Sequence, residues 1–432
     1  MRRLLFSILL VSATALAQTD SDVMVIRAGT LIDGLSAQPL HDQVIVVRDN
    51  KILGVSGSVP VGAHMIDLSN AVVMPGLIDT HTHIFLQGEV PEEGGYDAQL
   101  LKQGMAFRAA RATVSARRCL EQGFTTIRDV ETEGAGAGDV GIKQAIERGY
   151  IPGPRMFTTT RALSTTNGYP LEGYAPEVEF TLPKGAQIVD GPVQARTAVR
   201  QQLELGADWI KVYMTHRSWV TPDGKLGVQP TFTLEEIKAI TDEAHAQGHK
   251  VACHAYGGVG LHRALDGGCD SIEHGLDLDD AAIAQMVKQG TWLVPTFSVY
   301  YYDQAPPSSP EAKRDQLRVS LHGPSFQRAL KAGVKIAFGT DAGGFKWSEP
   351  MAQEFKYMVQ FGMTPMQAIQ AATSKAAELL DMHGQLGVIA PGAYADIIAV
   401  QGDPLKDVNA LKDVRFVMKD GKVFKDELTA AK

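Results

Sequence analysis

Short apolar runs alternate with amphipathic stretches through the middle of the 432-residue chain. The short runs have the length of buried strands, and most of the segments between them carry apolar residues at helical spacing. The strand candidates are Leu77–Ile84, Phe124–Val130, Arg155–Arg161, Trp209–Met214, Val251–Tyr256, Ser271–His274, Trp292–Phe297 and Ile336–Asp341. Eight strands that alternate with helices predict an α/β fold, a (β/α)8 TIM-like barrel. An open doubly wound sheet is the alternative, but the sequence lacks the Gly-rich phosphate turn of that fold.

The two ends of the chain have a different pattern, with apolar runs broken by Gly- and Asn-rich turns. Neither end would form a stable sheet alone, so we expect both to join in one small composite β-sandwich domain. The predicted organisation is a signal peptide at residues 1–17, a β-sandwich segment at 18–73, the barrel at 74–383 and a second β-sandwich segment at 384–432.

The first residues are typical of a secretory signal. Arg2 and Arg3 precede the apolar run Leu4–Val11, and a small-residue cleavage site leaves Gln18 as the mature start. A buried helix or a membrane anchor is the alternative, but the run is too short to span a bilayer easily. Nothing later in the sequence is long and apolar enough to do so. We therefore predict an exported protein, periplasmic or secreted, without a membrane span.

The net charge and the cysteine content bear on possible partners and on disulfide bonds. The net charge of −8 provides no basic surface, which argues against nucleic acid as a partner. An exported protein could carry disulfides, yet there are three cysteines, Cys119, Cys253 and Cys269. We expect all three to be buried free thiols. Cys253 precedes His254 on a predicted strand and should therefore point to the opposite face.

Six side chains suited to metal chemistry stand at the ends of five predicted strands. They are His81, His83, Lys211, His254, His274 and Asp341. Barrel active sites lie at the carboxyl ends of the strands, and two histidines in His-x-His order point the same way. Any one of these residues alone is more often structural, but their joint placement predicts a centre for two divalent cations.

Lys211 is the unusual member of this set, because a protonated ammonium group cannot bind a metal. Reaction of the amine with CO2 would give a carbamate whose two oxygens could bridge two cations. The sequence also suggests substrate contacts. Tyr213 and Tyr256 each follow a candidate ligand by two residues, and His216 is close by. Arg128 and Arg161, at two other strand ends, could pair with a substrate carboxylate.

Several motifs together resemble the amidohydrolase superfamily. They are GLIDTHTHI, the lysine of the fourth strand, HAYG, IEHG, GTDAG and LGVIAPGAYADIIAVQGDPL. The resemblance extends over nearly the whole chain after the signal. More narrowly, the chain resembles the branch with imidazolonepropionase-like and prolidase-like members, which includes zinc dipeptidases, carboxypeptidases and the exported bacterial ochratoxin-hydrolysing amidohydrolases.

The resemblance implies a role for each ligand. His81 and His83 would hold the more buried of two Zn²⁺ ions, and His254 and His274 would hold the second. Lys211, as N6-carboxylysine, would bridge the two ions. Asp341 would bind the first ion and act as general base and acid.

The implied activity is hydrolysis of the amide bond to a C-terminal amino acid in dipeptides, N-acyl amino acids or ochratoxin A, which would give ochratoxin alpha and phenylalanine. Assembly into a homo-oligomer is expected by analogy. A cyclic-amide hydrolase or a deaminase of the same superfamily, and a non-catalytic binding protein, are the alternatives. Branch members often carry Thr-Gly-Gly-His after the third strand, where this chain has Thr166-Asn167-Gly168-Tyr169. Tyr169 would then replace a substrate-binding histidine.

Overall fold

A computed structural model describes residues 23–56, 64–88, 95–169, 184–302 and 304–429. The predicted signal peptide at residues 1–17 lies outside these ranges. The amino-terminal part forms four strands: β1 Val23–Leu31, β2 Leu40–Arg48, β3 Lys51–Ser56 and β4 His64–Pro75. The carboxyl-terminal part forms β17 Ile397–Val400, β18 Val414–Lys419 and β19 Lys422–Asp426.

Strands and helices alternate between these two parts. The strands are β5 Leu77–Thr82, β6 Phe124–Asp129, β7 Arg155–Thr158, β8 Leu163–Ser164, β9 Gln187–Ile188, β10 Trp209–Tyr213, β11 Thr215–Val220, β12 Leu226–Pro230, β13 Lys250–Gly257, β14 Ser271–Asp277, β15 Trp292–Val294 and β16 Lys335–Ile336. Each predicted barrel strand overlaps one of them, and the TIM-like barrel is confirmed. β9 extends the edge beside β8, and β11 and β12 form a separate hairpin after β10.

The helices of the described residues surround the barrel strands or connect them. They are α1 Gly95–Leu101, α2 Met105–Glu121, α3 Gly138–Glu147, α4 Pro192–Glu204, α5 Leu234–Ala246, α6 Gly258–Gly267, α7 Asp280–Gln289, α8 Phe297–Tyr302, α9 Ala312–Ala332, α10 Gln353–Gln360, α11 Pro365–Ala371 and α12 Ser374–Leu379, with a 3-10 helix at Val408–Lys412. None of the helices in the described part of the chain combines the length and apolar character needed to cross a membrane.

Local sequence explains where these helices begin and which face they bury. Helix α5 starts after Thr233, whose side chain accepts a hydrogen bond from the backbone of Glu236 while the Glu236 carboxylate accepts one from the Thr233 backbone. Ile237, Ile240 and Ala244, spaced three and four residues apart, are fully buried. The helix therefore packs one apolar stripe against the barrel.

The barrel closes where its first strand meets the segment that follows its last. β7 and β8 together form the third strand, since β6 pairs with β7 and β8 pairs with β10. The amide of Thr80 donates to the carbonyl of Phe338 at 2.9 Å, and the amide of Asp341 donates to the carbonyl of His81 at 2.8 Å. The closing contacts therefore place two predicted metal ligands side by side at the seam.

Both ends of the chain share one sheet, as predicted. Among the described residues its strand order is β19-β18-β17-β4-β1-β2-β3, so β4 joins the carboxyl-terminal strands to the amino-terminal ones. Strand β4 passes through the predicted domain boundary at residues 73 and 74 and leads through Gly76 into β5. A Cβ atom on Gly76 would lie 2.1 Å from Oγ1 of Thr125. Glycine is required here because the link to the barrel passes directly against β6.

The expectation of three free thiols is wrong for two of the cysteines. Cys253, on β13, forms a disulfide with Cys269, which lies between α6 and β14. Cys253 does point away from the ligand face, but that direction brings its sulfur to the turn before the neighbouring strand, and the two Cα atoms are 6.1 Å apart. Cys119 is a buried free thiol, as expected.

Candidate active site

A cavity of about 670 Å³ opens at the carboxyl ends of the barrel strands. All six predicted metal ligands line it: His81, His83, Lys211, His254, His274 and Asp341. Four of the predicted substrate contacts line it too: Tyr169, Tyr213, His216 and Tyr256. A volume of this size is typical of a site for a small molecule.

The imidazoles surround the carboxylate of Asp341. Its Oδ1 atom lies 3.1 Å from Nε2 of His83 and 3.9 Å from Nε2 of His81, and its Oδ2 atom lies 3.9 Å from Nδ1 of His274. The ring centroids of His254 and His274 are 4.3 Å apart. Ligand atoms of His81, His274 and Asp341 all lie within 4.8 Å of one another, so the three could hold one cation together.

Among the candidate metal ligands, two buried ring nitrogens have no hydrogen-bond partner. These are Nε2 of His81 and Nε2 of His254. Buried polar atoms are rarely left unpaired, because the loss of hydration is then uncompensated. Nδ1 of His81 lies 2.6 Å from the carboxylate of Glu273, which leaves Nε2 as the coordinating atom. Divalent cations such as zinc, bound by these imidazoles, would satisfy both nitrogens, and the residues present therefore fit such ions.

Arg128 lies beneath this centre and does not contact the cavity. Its guanidinium is fully buried, donates to the carboxylate of Glu273 at 2.8 Å and donates to the carbonyl of Thr80 at 2.6 Å. The expectation that Arg128 binds a substrate carboxylate is therefore wrong, because its donors are engaged inside the barrel. Glu273 was not predicted, since strand alternation places it on the face opposite to its neighbour His274.

Backbone geometry explains why alternation fails at the strand ends. His274 has φ 75°, Asp341 φ 64° and Thr160 φ 59°, in the left-handed region that few non-glycine residues adopt. The turn at His274 lets both Glu273 and His274 approach His81. Arg161, which follows the turn at Thr160, donates to the carbonyl of Ala186 at 2.9 Å. The described residues that line the cavity do not include Arg161, and its contact with substrate stays a prediction.

Lys211 is buried, with 1% of its surface exposed. No carboxylate of the described residues lies within 4.0 Å of its amine, and the Nζ atom is 5.5 Å from the centroid of the Tyr213 ring. Burial lowers the pKa of this amine from its ordinary 10.5, although the nearby carboxylates oppose the shift. Since only the neutral amine reacts with CO2, this environment favours the modification.

The charged groups of the centre influence one another strongly. Burial lowers the pKa of His81 to about 4, which keeps it neutral and able to donate a lone pair. Burial would also lower the pKa of His83, but the hydrogen bond and charge of Asp341 outweigh it and raise that pKa to about 9. Burial opposes ionisation of Asp341, yet the surrounding histidines hold its pKa well below the usual range. Asp341 is therefore an ionised carboxylate near neutral pH.

An acidic cluster that was not predicted follows β6. Glu131 and Glu133 are buried there, and both have tyrosine partners. Glu131 accepts a hydrogen bond from Tyr213 at 2.5 Å, and Glu133 accepts from Tyr169 at 2.8 Å. Two carboxylates spaced by two residues at the end of a barrel strand satisfy the same criterion that identified His81 and His83. That signal in VETEG could have found them.

The opposite side of the cavity is basic and aromatic. Arg217, Arg314 and Arg318 line it together with Trp219 and Tyr300. Asp315 lies on the same wall and forms ion pairs with Arg314 at 2.9 Å and Arg318 at 3.6 Å, so the three arginines leave an excess of positive charge. The guanidinium of Arg318 lies 5.2 Å from the centroid of the Tyr256 ring.

His216 stands between the two sides. Its ring is 4.5 Å from that of Tyr169, and its Nδ1 atom is buried without a hydrogen-bond partner. Burial and the two nearby arginines lower the pKa of His216 to about 4, so this imidazole is neutral near pH 7.

Comparison with known proteins agrees with this geometry. The family model of the amidohydrolase family matches residues 72–424. The ochratoxinase of Aspergillus niger is 32% identical over 440 residues, which cover 95% of this chain and 88% of that protein. The imidazolonepropionase of Streptomyces coelicolor is 25% identical over 378 residues, which cover 83% of this chain and 85% of that protein.

The fold comparison points the same way. The crystal structure of a Xaa-Pro dipeptidase with methionine bound in the active site superposes with a TM-score of 0.84 at 36% identity, covering 93% of this chain and 100% of that chain. The expected branch of the superfamily is thereby confirmed. The chain belongs to the amidohydrolase family, and it is a hydrolase that acts on amide or peptide bonds.

Proposed function

We propose that this enzyme releases a C-terminal amino acid from dipeptides and N-acyl amino acids, and that it uses two divalent cations, which we propose to be Zn²⁺. The observation that supports the proposal is the convergence of the six predicted ligands in one cavity with two buried imidazole nitrogens unpaired. His81, His83, His254, His274, Asp341 and a carbamate on Lys211 would hold the ions.

The bound ions would supply a water acidic enough to lose a proton near neutral pH and would polarise the scissile carbonyl. Asp341, ionised and adjacent to His83, accepts the proton of the attacking water and delivers it to the leaving nitrogen. Tyr213 and Tyr256, on the two sides of His254, have hydroxyl groups that can orient the substrate. Glu273 contacts Nδ1 of His81 and accepts a hydrogen bond from Arg128, so these two buried residues hold the His81 ring in place.

Charge and size of the cavity support the substrate class. Arginines on one wall suit the carboxylate of a released amino acid, because guanidinium groups pair well with carboxylates. Leu86, Val299 and Tyr300 add apolar and aromatic surface for a side chain. The similar ochratoxinase and Xaa-Pro dipeptidase carry names that fit this class, and ochratoxin A is therefore included among the candidate substrates.

A panel of zinc-loaded assays tests this function. Dipeptides, N-acyl amino acids and ochratoxin A are incubated with the enzyme, and the released amino acid is quantified by liquid chromatography and mass spectrometry. Asp341→Asn protein, purified in parallel, controls for contaminating peptidases. Release of free amino acid by the wild type alone supports the proposal. Ammonia as the only product, or opening of a cyclic amide such as imidazolonepropionate, would support the alternative that the similarity to imidazolonepropionase raises.

Two further proposals concern the protein outside the active site. We propose that residues 1–17 direct export to the periplasm or the medium. N-terminal sequencing of the protein recovered from a bacterial host that cleaves signal peptides should then begin at Gln18. We also propose a homo-oligomer, which light scattering of the purified enzyme tests through its mass relative to 46.5 kDa per chain.

A further inference from the structure

The cavity has an acidic side next to His83. An oxygen of Glu133 lies 3.6 Å from Nδ1 of His83, and its other oxygen accepts hydrogen bonds from Tyr96 at 2.5 Å and Tyr169 at 2.8 Å. A carboxylate oxygen of Glu131 lies within 4.8 Å of both Glu133 and His83. Glu133 therefore places a carboxylate that lines the cavity beside the proposed metal centre, whereas burial and the charge of Glu133 raise the pKa of Glu131.

His83 is the cationic partner of Glu133 in the metal-free protein, and its imidazole would become neutral on binding a metal cation. Among the described residues, neither Glu131 nor Glu133 forms an ion pair with a lysine or an arginine. Glu131 has no exposed surface, and one of its carboxylate oxygens has no hydrogen-bond partner. A buried polar atom without a partner is costly, and it is usually found where a ligand completes the site.

The basic side adjoins the opposite end of the row of histidines. The centroids of the Tyr256 and His254 rings are 4.6 Å apart, and the guanidinium of Arg318 lies over the Tyr256 ring. From the acidic to the basic side, the order of contacts is Glu133, His83, His81, His274, His254, Tyr256 and Arg318. The candidate centre thus lies between negative and positive walls.

A dipeptide with free termini has the same order of charges. Its α-ammonium nitrogen is two bonds, roughly 2.5 Å, from the scissile carbonyl carbon, and its carboxylate lies beyond the scissile nitrogen. An ammonium-binding group must therefore adjoin the metal centre itself, as Glu133 does through His83. An N-acyl amino acid has no charge at this position and would leave the acidic side unpaired.

We propose that Glu133, supported by Glu131, Tyr96 and Tyr169, binds the free α-ammonium group of a dipeptide, so that the enzyme prefers dipeptides over N-acyl amino acids. This inference rests on the proposed function. The two tyrosine hydroxyls hold the Glu133 carboxylate in place, and the arginine side receives the carboxylate of the substrate. The ammonium group pairs with Glu133 once metal binding has made His83 neutral.

A pair of matched substrates tests the inference. Alanyl-methionine and propionyl-methionine differ only in the ammonium group, and kcat/KM is measured for both with the zinc-loaded wild type and with Glu133→Gln. The wild type should prefer the alanyl substrate by about tenfold or more, as expected for a charge-assisted hydrogen bond. In Glu133→Gln the preference should fall by about tenfold. Asp97→Asn, which removes a charge from the same cavity, should leave the ratio within about threefold.

The outcomes separate the inference from the function on which it rests. A wild type that hydrolyses both substrates equally, or a Glu133→Gln variant that loses the same factor with both, overturns ammonium binding while amide hydrolysis stands. Failure of the wild type on the whole substrate panel refutes the proposed function instead. The ratio of the two kcat/KM values should also fall above about pH 8, where the α-amino group of the substrate loses its proton, and a ratio independent of pH would contradict the inference.

Discussion

The Nδ1 atom of His81 and a carboxylate oxygen of Glu273 lie 2.6 Å apart, although 192 positions separate the two residues in the sequence. Glu273 also accepts a hydrogen bond from Arg128, so the imidazole is held by a carboxylate that is itself fixed. Because Nδ1 is engaged, only Nε2 remains available for a cation. A pair that the sequence does not connect thus orients a proposed metal ligand.

We expect Glu273→Gln to weaken zinc binding roughly 10- to 100-fold, because the amide cannot hold the His81 ring as a carboxylate does. Competition with a chromophoric chelator measures this affinity. Glu235→Gln, on the exposed side of α5, is the matched control and should bind zinc like the wild type. Unchanged affinity in Glu273→Gln would show that the contact does not position the ligand.

The same carboxylate should make the stability of the metal-free protein depend on pH. Burial opposes ionisation of Glu273, but Arg128 and His81 outweigh it and hold its pKa below the ordinary 4.5. The stability that Glu273 contributes is therefore fully present above pH 4.5 and is lost as the pH falls further. Urea unfolding of metal-free protein between pH 6 and about pH 3 should show a smaller loss for Glu273→Gln than for the wild type. Equal losses would contradict the depressed pKa.

Asp341→Asn should reduce kcat by roughly 10²- to 10⁴-fold, the range expected when a general acid and base is removed. The amide keeps one oxygen that can still bind a cation, so we expect metal analysis to find most of the wild-type zinc content. A kcat near the wild-type value would exclude Asp341 from proton transfer.

Lys211→Ala should lose most of the activity and part of the bound zinc, because the bridging carbamate cannot form. Acetate or propionate, which places a carboxylate in the vacated space, should restore activity in part. Lys238→Ala, exposed on α5, is the control. In the wild type, ¹³C-bicarbonate should produce a carbamate signal in the NMR spectrum, and absence of that signal from zinc-loaded, active enzyme would refute the modification.

The disulfide between Cys253 and Cys269 closes a loop with a sequence separation of 16 residues. We expect Cys253→Ser/Cys269→Ser to lower the free energy of unfolding by about 3 kcal/mol, the amount typical of a loop of that length. Urea unfolding measures this loss, with Cys119→Ala as a control that keeps the disulfide. Thiol titration of the unfolded wild type should count one thiol before reduction and three after it. Three thiols without reductant would contradict the bond.

The barrel strands and the six candidate metal ligands that line the cavity could be predicted from the sequence, because both depend on local patterns. Apolar runs indicate the buried strands. The carboxyl ends of all strands in such a barrel lie at one face, where active sites are found. His81 and Asp341 therefore came together from their positions alone. The composite sheet could also be predicted, because neither end of the chain has enough strands to form a stable sheet by itself.

What the sequence did not predict depends on departures from regular geometry. Alternation along a strand gives no reason to place Glu273 beside His81, because it ignores the left-handed turn at His274. Arg128 was assigned to substrate because its buried partner Glu273 is distant in the sequence. The disulfide partner of Cys253 depends on where α6 returns the chain to the barrel, which spacing alone does not determine.

The seam of the barrel has a consequence for how this enzyme is made. His81 and Asp341 stand on opposite sides of that seam, so a growing chain cannot assemble the full ligand set until its final barrel strand has been synthesised. Binding of cations by the complete proposed ligand set would therefore follow closure of the barrel.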